Sequence, residues 1–373
     1  VLLFVVFFML CVETGFRIYF AQPNLVTRNI GKAIDSIPYL WDQIDRHQGT
    51  KIAWIGSSVM QGYLNAEADK TFPALVEKNL QSTEKYHNAK SFNMAAAANN
   101  FGDHYCILTE TLRHKPDLCV VAIHFKNFSQ HPSTNTPLRR RSMISNIRND
   151  PKLDEFLKRA DMSKTEFWKH RVDNGVKKFW QFYRYRALMV QLLTDKDESP
   201  SRQIYKQFMM RLGFFSKQAA ESQLHVPRDH DYDYLWKLLP ENLILRNYQL
   251  CSTLDFTDSN INWRNFKDLC KLGKRRKTKL MFYLTPINRQ FVEDKKFFLW
   301  KDLGEYKQMV AHEVRRNGHL LIDVTNEVDA AYFSDTDHIN QKGHKQLSTR
   351  MTKEVIKALD KKAKKKKRRK GKK

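Results

Sequence analysis

Glycine and proline are scarce in this chain, 13 and 11 among 373 residues, which excludes a collagen-like or low-complexity protein. Cysteine is scarcer still. The five, Cys11, Cys106, Cys119, Cys251 and Cys270, include no Cys-x-x-Cys and no Cys/His ligand spacing. An odd, sparse set gives neither a disulfide framework nor a zinc site. Cys106 and Cys119, among apolar neighbours, read as small core side chains. Acidic residues are also short: 40 Asp+Glu against 65 Lys+Arg leave a formal net charge of +25. Eleven basic residues fall within Lys361 to Lys373, and removing them from +25 leaves +14, so the body is basic in its own right. Acidic partners follow: nucleic acid, anionic lipid or an acidic polysaccharide. A hydrophobic fraction of 42% and an aromatic fraction of 12% exclude a chain disordered throughout. The length suffices for a core without metal or disulfide staples.

The two ends differ in kind. Val1 to Val12 read VLLFVVFFMLCV without a charge, and Glu13 and Arg17 follow. Twelve helical residues span about 18 Å, too short for a bilayer. Because the chain starts without Met, residues 1–20 are expected to be a truncated transmembrane helix or signal anchor, with a buried core helix as the alternative. A membrane is the partner this implies. Residues 21–50 read as a connector with a short helix near Ile34 to Arg46. At the far end, 361–373 should be a disordered polybasic tail, either contacting anionic lipid or another polyanion or serving only solubility.

Between the ends, short apolar runs alternate with helical periods. Lys51 to Gly56, Ser91 to Ala97, Leu118 to Phe125, Thr278 to Thr285 and Leu320 to Val324 read as buried strands. Thr71 to Gln81, His104 to Arg113, Ile261 to Leu272, Lys301 to Asn317 and Lys342 to Leu359 read as helices. This predicts an α/β domain with a central parallel sheet, built from 51–129 and 242–360. Residues 130–241 interrupt it as a basic helical insertion. There Trp168, Val172, Val176, Phe179, Trp180 and Tyr183 form one apolar stripe. An amphipathic helix packed on the domain explains the stripe; basic residues interleaved with aromatics also suit nucleic acid or an acidic glycan.

Four segments beyond strand ends carry candidate chemistry. Gly56-Ser57-Ser58 follows the first strand, where open α/β sheets bind ligands. Gly56 permits a sharp turn that presents Ser58 with its backbone N–H free. It is not a Gly-x-Ser-x-Gly elbow, since Met60 stands two residues after Ser58. Asn93 to Asn99 is a small-residue loop after the second strand, whose N–H groups approach closely. Asn127, after the third strand, offers an amide donor to an oxyanion. Asp335, three residues before His338, can accept a ring proton and leave the opposite nitrogen facing outward as a general base. Alone, each reads first as a plain turn, a tight packing loop or a helix-capping loop. Together, in order along one sheet edge, they supply nucleophile, base, orienter and oxyanion donors, the set acyl transfer requires. Asp337 competes with Asp335 as orienter. His225, Asp229, His230, Asp231 and Asp233 form the one His/Asp cluster that could mimic a metal site and read as a solvated loop; no metal and no organic cofactor is expected.

Over about 51–127 and 278–359, these motifs resemble the SGNH (GDSL-like) hydrolase superfamily. The resemblance implies an SGNH/flavodoxin-like three-layer sandwich, with Ser58 as nucleophile and Asp335 and His338 as the Asp-x-x-His pair. Its oxyanion donors would be the N–H groups of Ser58 and Ala98 and the amide of Asn127. Ala98 stands where the family has Gly, which a backbone donor tolerates if its dihedrals are ordinary. Phe125 and Phe128 replace the Gly and Asp of the family's Gly-x-Asn-Asp block. An apolar N-terminus with a late Asp-x-x-His-Ile-Asn-x-x-Gly is similar to membrane-anchored bacterial members that work beside membrane-bound O-acyltransferases, in alginate acetylation or teichoic-acid D-alanylation. This implies a membrane-anchored, extracytoplasmic serine esterase or O-acyltransferase acting on a cell-envelope polysaccharide. The rivals are a catalytically inactive scaffold in an acyl-transfer complex and a basic nucleic-acid-binding protein.

Overall fold

A computed structural model describes residues 2–23, 25, 36–62, 66–194, 233–239, 241–251, 254–297 and 300–370. Five strands alternate with helices: β1 (Lys51–Ile55), β2 (Lys90–Asn93), β3 (Leu118–Ile123), β4 (Met281–Leu284) and β5 (Leu320–Asp323). The helices are α1 (Leu2–Ala21), α2 (Ile37–Arg46), α3 (Ser58–Gln61), α4 (Phe72–Gln81), α5 (Phe101–Thr111), α6 (Pro151–Arg159), α7 (Lys164–Phe179) and α8 (Gln181–Thr194). After them come α9 (Glu241–Cys251), α10 (Ile261–Arg275), α11 (Arg289–Asp294), α12 (Trp300–Arg316) and α13 (Gln341–Lys370).

All strand pairs are parallel, in the order β2-β1-β3-β4-β5. Every residue of β3 and β4 is buried, which is why both read as unbroken apolar runs. Right-handed crossovers put α4 on one face of such a sheet and α5, α10 and α12 on the other. The packing agrees: α4 lies against α13, and α5 against α10. Trp54 and Phe72 meet edge to face at 5.5 Å in one layer, and Phe101 and Phe266 at 5.2 Å in the other. The expected three-layer α/β sandwich is the fold. The strand order reverses direction between β1 and β3, and their carboxyl ends open a crevice where such sheets bind ligands.

Two expectations change. The stripe from Trp168 to Tyr183 is not one packed face. The helix stops at Phe179, and a second starts at Gln181, because the Glu13 carboxylate of α1 accepts the N–H groups of Gln181 and Phe182 at 2.9 and 3.1 Å. The stripe itself faces out: Trp168 is 65% and Phe179 75% exposed. The polar side of α7 turns inward instead, with Arg171 paired to Asp154 and Asn174 donating to the Ser145 and Ile147 carbonyls. Next, α13 runs to Lys370, where a disordered tail was expected. Ala, Lys and Arg are good helix formers, and Lys362 holds the Asp117 carbonyl at 2.7 Å. Apart from these, α1 is helical throughout, with residues 3, 4, 7, 8 and 10 exposed, and among the described residues no helix is long and apolar enough to cross a membrane. His225, Asp229, His230 and Asp231 lie outside the described residues; Asp233 pairs with Lys342 at 3.0 Å.

Candidate active site

Each of the three adjacent strands β2, β1 and β3 ends in one piece of the site. After β1, Gly56 is packed so closely that a Cβ would stand 3.0 Å from Ala122 Cβ and from Met60 Sδ, so any larger residue would have to push these neighbours aside. The chain then turns, and Ser58 opens α3, half-buried. The loop after β2 is stitched to this turn: Ala96 N–H and the Asn99 amide both donate to the Gly56 carbonyl, at 3.2 and 3.3 Å. The Asn93 amide donates to the Met60 carbonyl at 3.0 Å. After β3, Asn127 sits in a single 3₁₀ turn, its N–H on the His124 carbonyl.

The fourth piece arrives from the other end of the chain. A bridge between Phe333 and Ile339 closes a loop. Inside it, Asp335 Oδ1 accepts the backbone N–H groups of Asp337 and His338 at 2.9 and 2.8 Å. Asn288, beyond β4, anchors the loop by donating its N–H to the Thr336 carbonyl and its amide to the Asp335 carbonyl. Asp335 Oδ2 then lies 2.7 Å from His338 Nδ1, and His338 Nε2 lies 2.7 Å from Ser58 Oγ. Ser58, His338 and Asp335 thus form one hydrogen-bonded chain across 280 residues of sequence. Of the two aspartates, Asp335 takes the ring; Asp337 Oδ2 stands 3.7 Å from the same nitrogen.

Asp337 has a separate network. Fully buried, it pairs with the Lys126 ammonium and lies 2.7 Å from His124 Nε2. Lys126 also donates to Thr336 and, at 2.8 Å, to Asn247 of α9. Burial opposes the charge on Lys126, but Asp337 and Asp335 outweigh it and raise its pKa. Burial likewise opposes ionisation of Asp337, and Lys126 and His124 overcome it, holding the carboxyl well below its usual range. The same balance acts on His338. Burial disfavours the imidazolium, yet Asp335 and Asp337 lift its pKa to about 9. Sequence reasoning missed Lys126, His124 and Asn247. Lys126 stands in the same strand-exit block as Asn127, but nothing in the sequence pairs it with Asp337.

The oxyanion candidates divide. The Asn127 amide nitrogen is buried without a hydrogen-bond partner, an unspent donor at the end of β3. Among the described residues, the N–H groups of Ser58 and Ala98 donate to no protein acceptor. The condition for tolerating Ala98 in place of Gly is not met: its φ is +62°, in the left-handed region where a Cβ costs about 1–2 kcal/mol. Its neighbours hold it there, with Arg139 and Arg140 donating to the Ala98 and Ala97 carbonyls. Asp335, Asp337 and His338 are also the three residues, among those described, whose ligand atoms lie close enough together for a metal ion. The Lys126 ammonium already neutralises Asp337, and the ring already bridges Asp335 and Ser58, an arrangement able to pass a proton from Ser58 to His338.

No protein-family model and no curated protein sequence matches the chain. Among solved structures, an alpha/beta hydrolase from the metagenome of Lake Arreo, Spain, is similar at 11% identity and a TM-score of 0.37, over 84% of this chain and 95% of that one. A catalytic mutant of an acetylxylan esterase from Geobacillus stearothermophilus is similar at 11% identity and a TM-score of 0.38, over 83% and 96%. A two-domain esterase active on acetylated mannans, co-crystallised with mannopentaose, is similar at 9% and 0.33, over 90% and 55%. The neighbours are hydrolases and esterases; at these values the functional reading of this chain stands on its own site.

Proposed function

We propose that this chain is an SGNH-type serine ester hydrolase or O-acyltransferase acting on acyl esters of a cell-envelope polysaccharide. The observation that carries the reading is the hydrogen-bonded chain from Ser58 through His338 to Asp335. The neutral ring of His338 takes the Ser58 proton as Oγ attacks the ester carbonyl. Asp335 fixes the tautomer and stabilises the imidazolium that forms. The tetrahedral oxyanion is met by the Asn127 amide and the N–H groups of Ser58 and Ala98. His338 returns the proton to the leaving alcohol, and the acyl group stays on Ser58 until water or a sugar hydroxyl removes it. The domain would work at the outer face of a membrane, a reading supported by the exposed apolar turns of α1.

The test is turnover of an aryl acetate and of an O-acetylated polysaccharide. Ser58→Ala should lower turnover by about 10⁴-fold or more while the melting temperature holds. Equal turnover in that variant would remove Ser58 from the reaction. No turnover in the native chain at any pH would favour the scaffold reading, which the missing Gly and Asp around Asn127 motivate.

A further inference from the structure

We propose that His124 and Lys126 are positioning residues for the reaction: they hold the Asp337 carboxylate by both its oxygens, so that the His338 ring stays on Asp335 and in line with Ser58. This rests on the ester-chemistry reading above and adds what keeps its base in place. Two carboxylates of one loop compete for one ring nitrogen. Asp335 Oδ2 is 2.7 Å from His338 Nδ1, and Asp337 Oδ2 is 3.7 Å from it. That same Asp337 Oδ2 is held by His124, whose Nε2 lies 2.7 Å away. An ionised carboxylate only accepts, so the His124 ring donates there. Asp337 Oδ1 accepts from the Lys126 ammonium and, at 2.5 Å, from the Thr336 hydroxyl.

Lys126 gives its other two N–H bonds to Thr336 and, at 2.8 Å, to Asn247. Buried, and with all three donors placed, it has none left for a substrate and acts through Asp337. Neither role comes with the family resemblance: Lys126 fills the unrestricted position of the block around Asn127, and His124 precedes that block. A ring turned toward Asp337 would take Nε2 off its 2.7 Å contact with Ser58 Oγ. Misplacing a reacting group by about 1 Å costs about 10²-fold in rate.

The experiment measures kcat and KM of an aryl acetate on the full chain, on the alkaline plateau of its pH profile. His124→Phe keeps an aromatic ring stacked beside Phe125 but frees Asp337 Oδ2. Its kcat should fall by about 10²-fold with KM unchanged. His124→Gln restores a donor and should recover most of that loss. Asp337→Asn removes the competing charge, so its kcat should stay close to native, and added to His124→Phe it should restore kcat. The melting temperature of Asp337→Asn should nevertheless fall, because Lys126 loses its counter-charge. A network that served stability alone would drag kcat down with it. That outcome, or a double variant as slow as His124→Phe, overturns the proposal. The ring is also read without turnover, in the full chain carrying isotope-labelled histidine. The Nδ1–H resonance of His338, identified by its loss in His338→Gln, should shift in His124→Phe and return in the double variant. An inactive native chain with that pattern would fail the ester reading and uphold the positioning; an unshifted resonance in His124→Phe overturns it.

Discussion

Lys126 and Asp337, 211 residues apart in the chain, form a buried ion pair beside the hydrogen-bonded chain from Ser58 to Asp335. A buried charge that loses its partner is more costly than the pair itself. Lys126→Met should therefore lower stability by about 3–5 kcal/mol in denaturant unfolding. Lys126→Met combined with Asp337→Leu should recover most of that loss. A single variant as stable as the native chain would mean that the pair is not formed.

The pH profile follows from the same aspartates. With the His338 pKa near 9, most rings are charged at pH 7 and cannot accept the Ser58 proton. The kcat/KM of an aryl acetate should rise with pH through about 9 and then level. Asp337→Asn removes one anion that favours the imidazolium, so the rising limb should move to lower pH. Asp335→Asn should move it as well and also lower the plateau, because the ring loses its orienting acceptor. A limb that stays in place in Asp337→Asn would assign it to another group.

Asn127 offers a separation that most site residues do not. Its amide nitrogen has no protein partner to lose. Asn127→Ala should leave unfolding free energy within about 0.5 kcal/mol of native while kcat falls by about 10²- to 10³-fold. Unaltered kcat would leave Asn127 outside the oxyanion hole.

Ala98 carries strain that its side chain creates. Ala98→Gly should hold or raise the melting temperature, since glycine adopts a φ of +62° freely. Ala98→Val should lower it, because β-branched residues resist the left-handed region. Thermal unfolding of the pair gives the sign directly.

The sheet was legible because buried parallel strands are written as apolar runs, and β1 and β3 lie wholly within the expected segments. The grouping of Ser58, His338 and Asp335 was legible because each follows or precedes an element whose edge the topology dictates. The face of α7 was not. Periodicity located a stripe, but ion pairs and amide contacts with Asp154, Ser145 and Ile147 decided which side packs. The break at Trp180 depends on Glu13, 168 residues from the N–H it caps. Lys126 and Asp337 were illegible for the same reason: their pairing exists only once β3 and the histidine loop meet.

The central claim is that Ser58 is a nucleophile activated by His338. The most direct test treats the full chain with a fluorophosphonate above pH 9 and maps the adduct by peptide mass. The account predicts a single adduct on Ser58, absent in Ser58→Ala and strongly slowed in His338→Ala. A folded chain that gains no adduct on Ser58, or gains it at the same rate without His338, contradicts it.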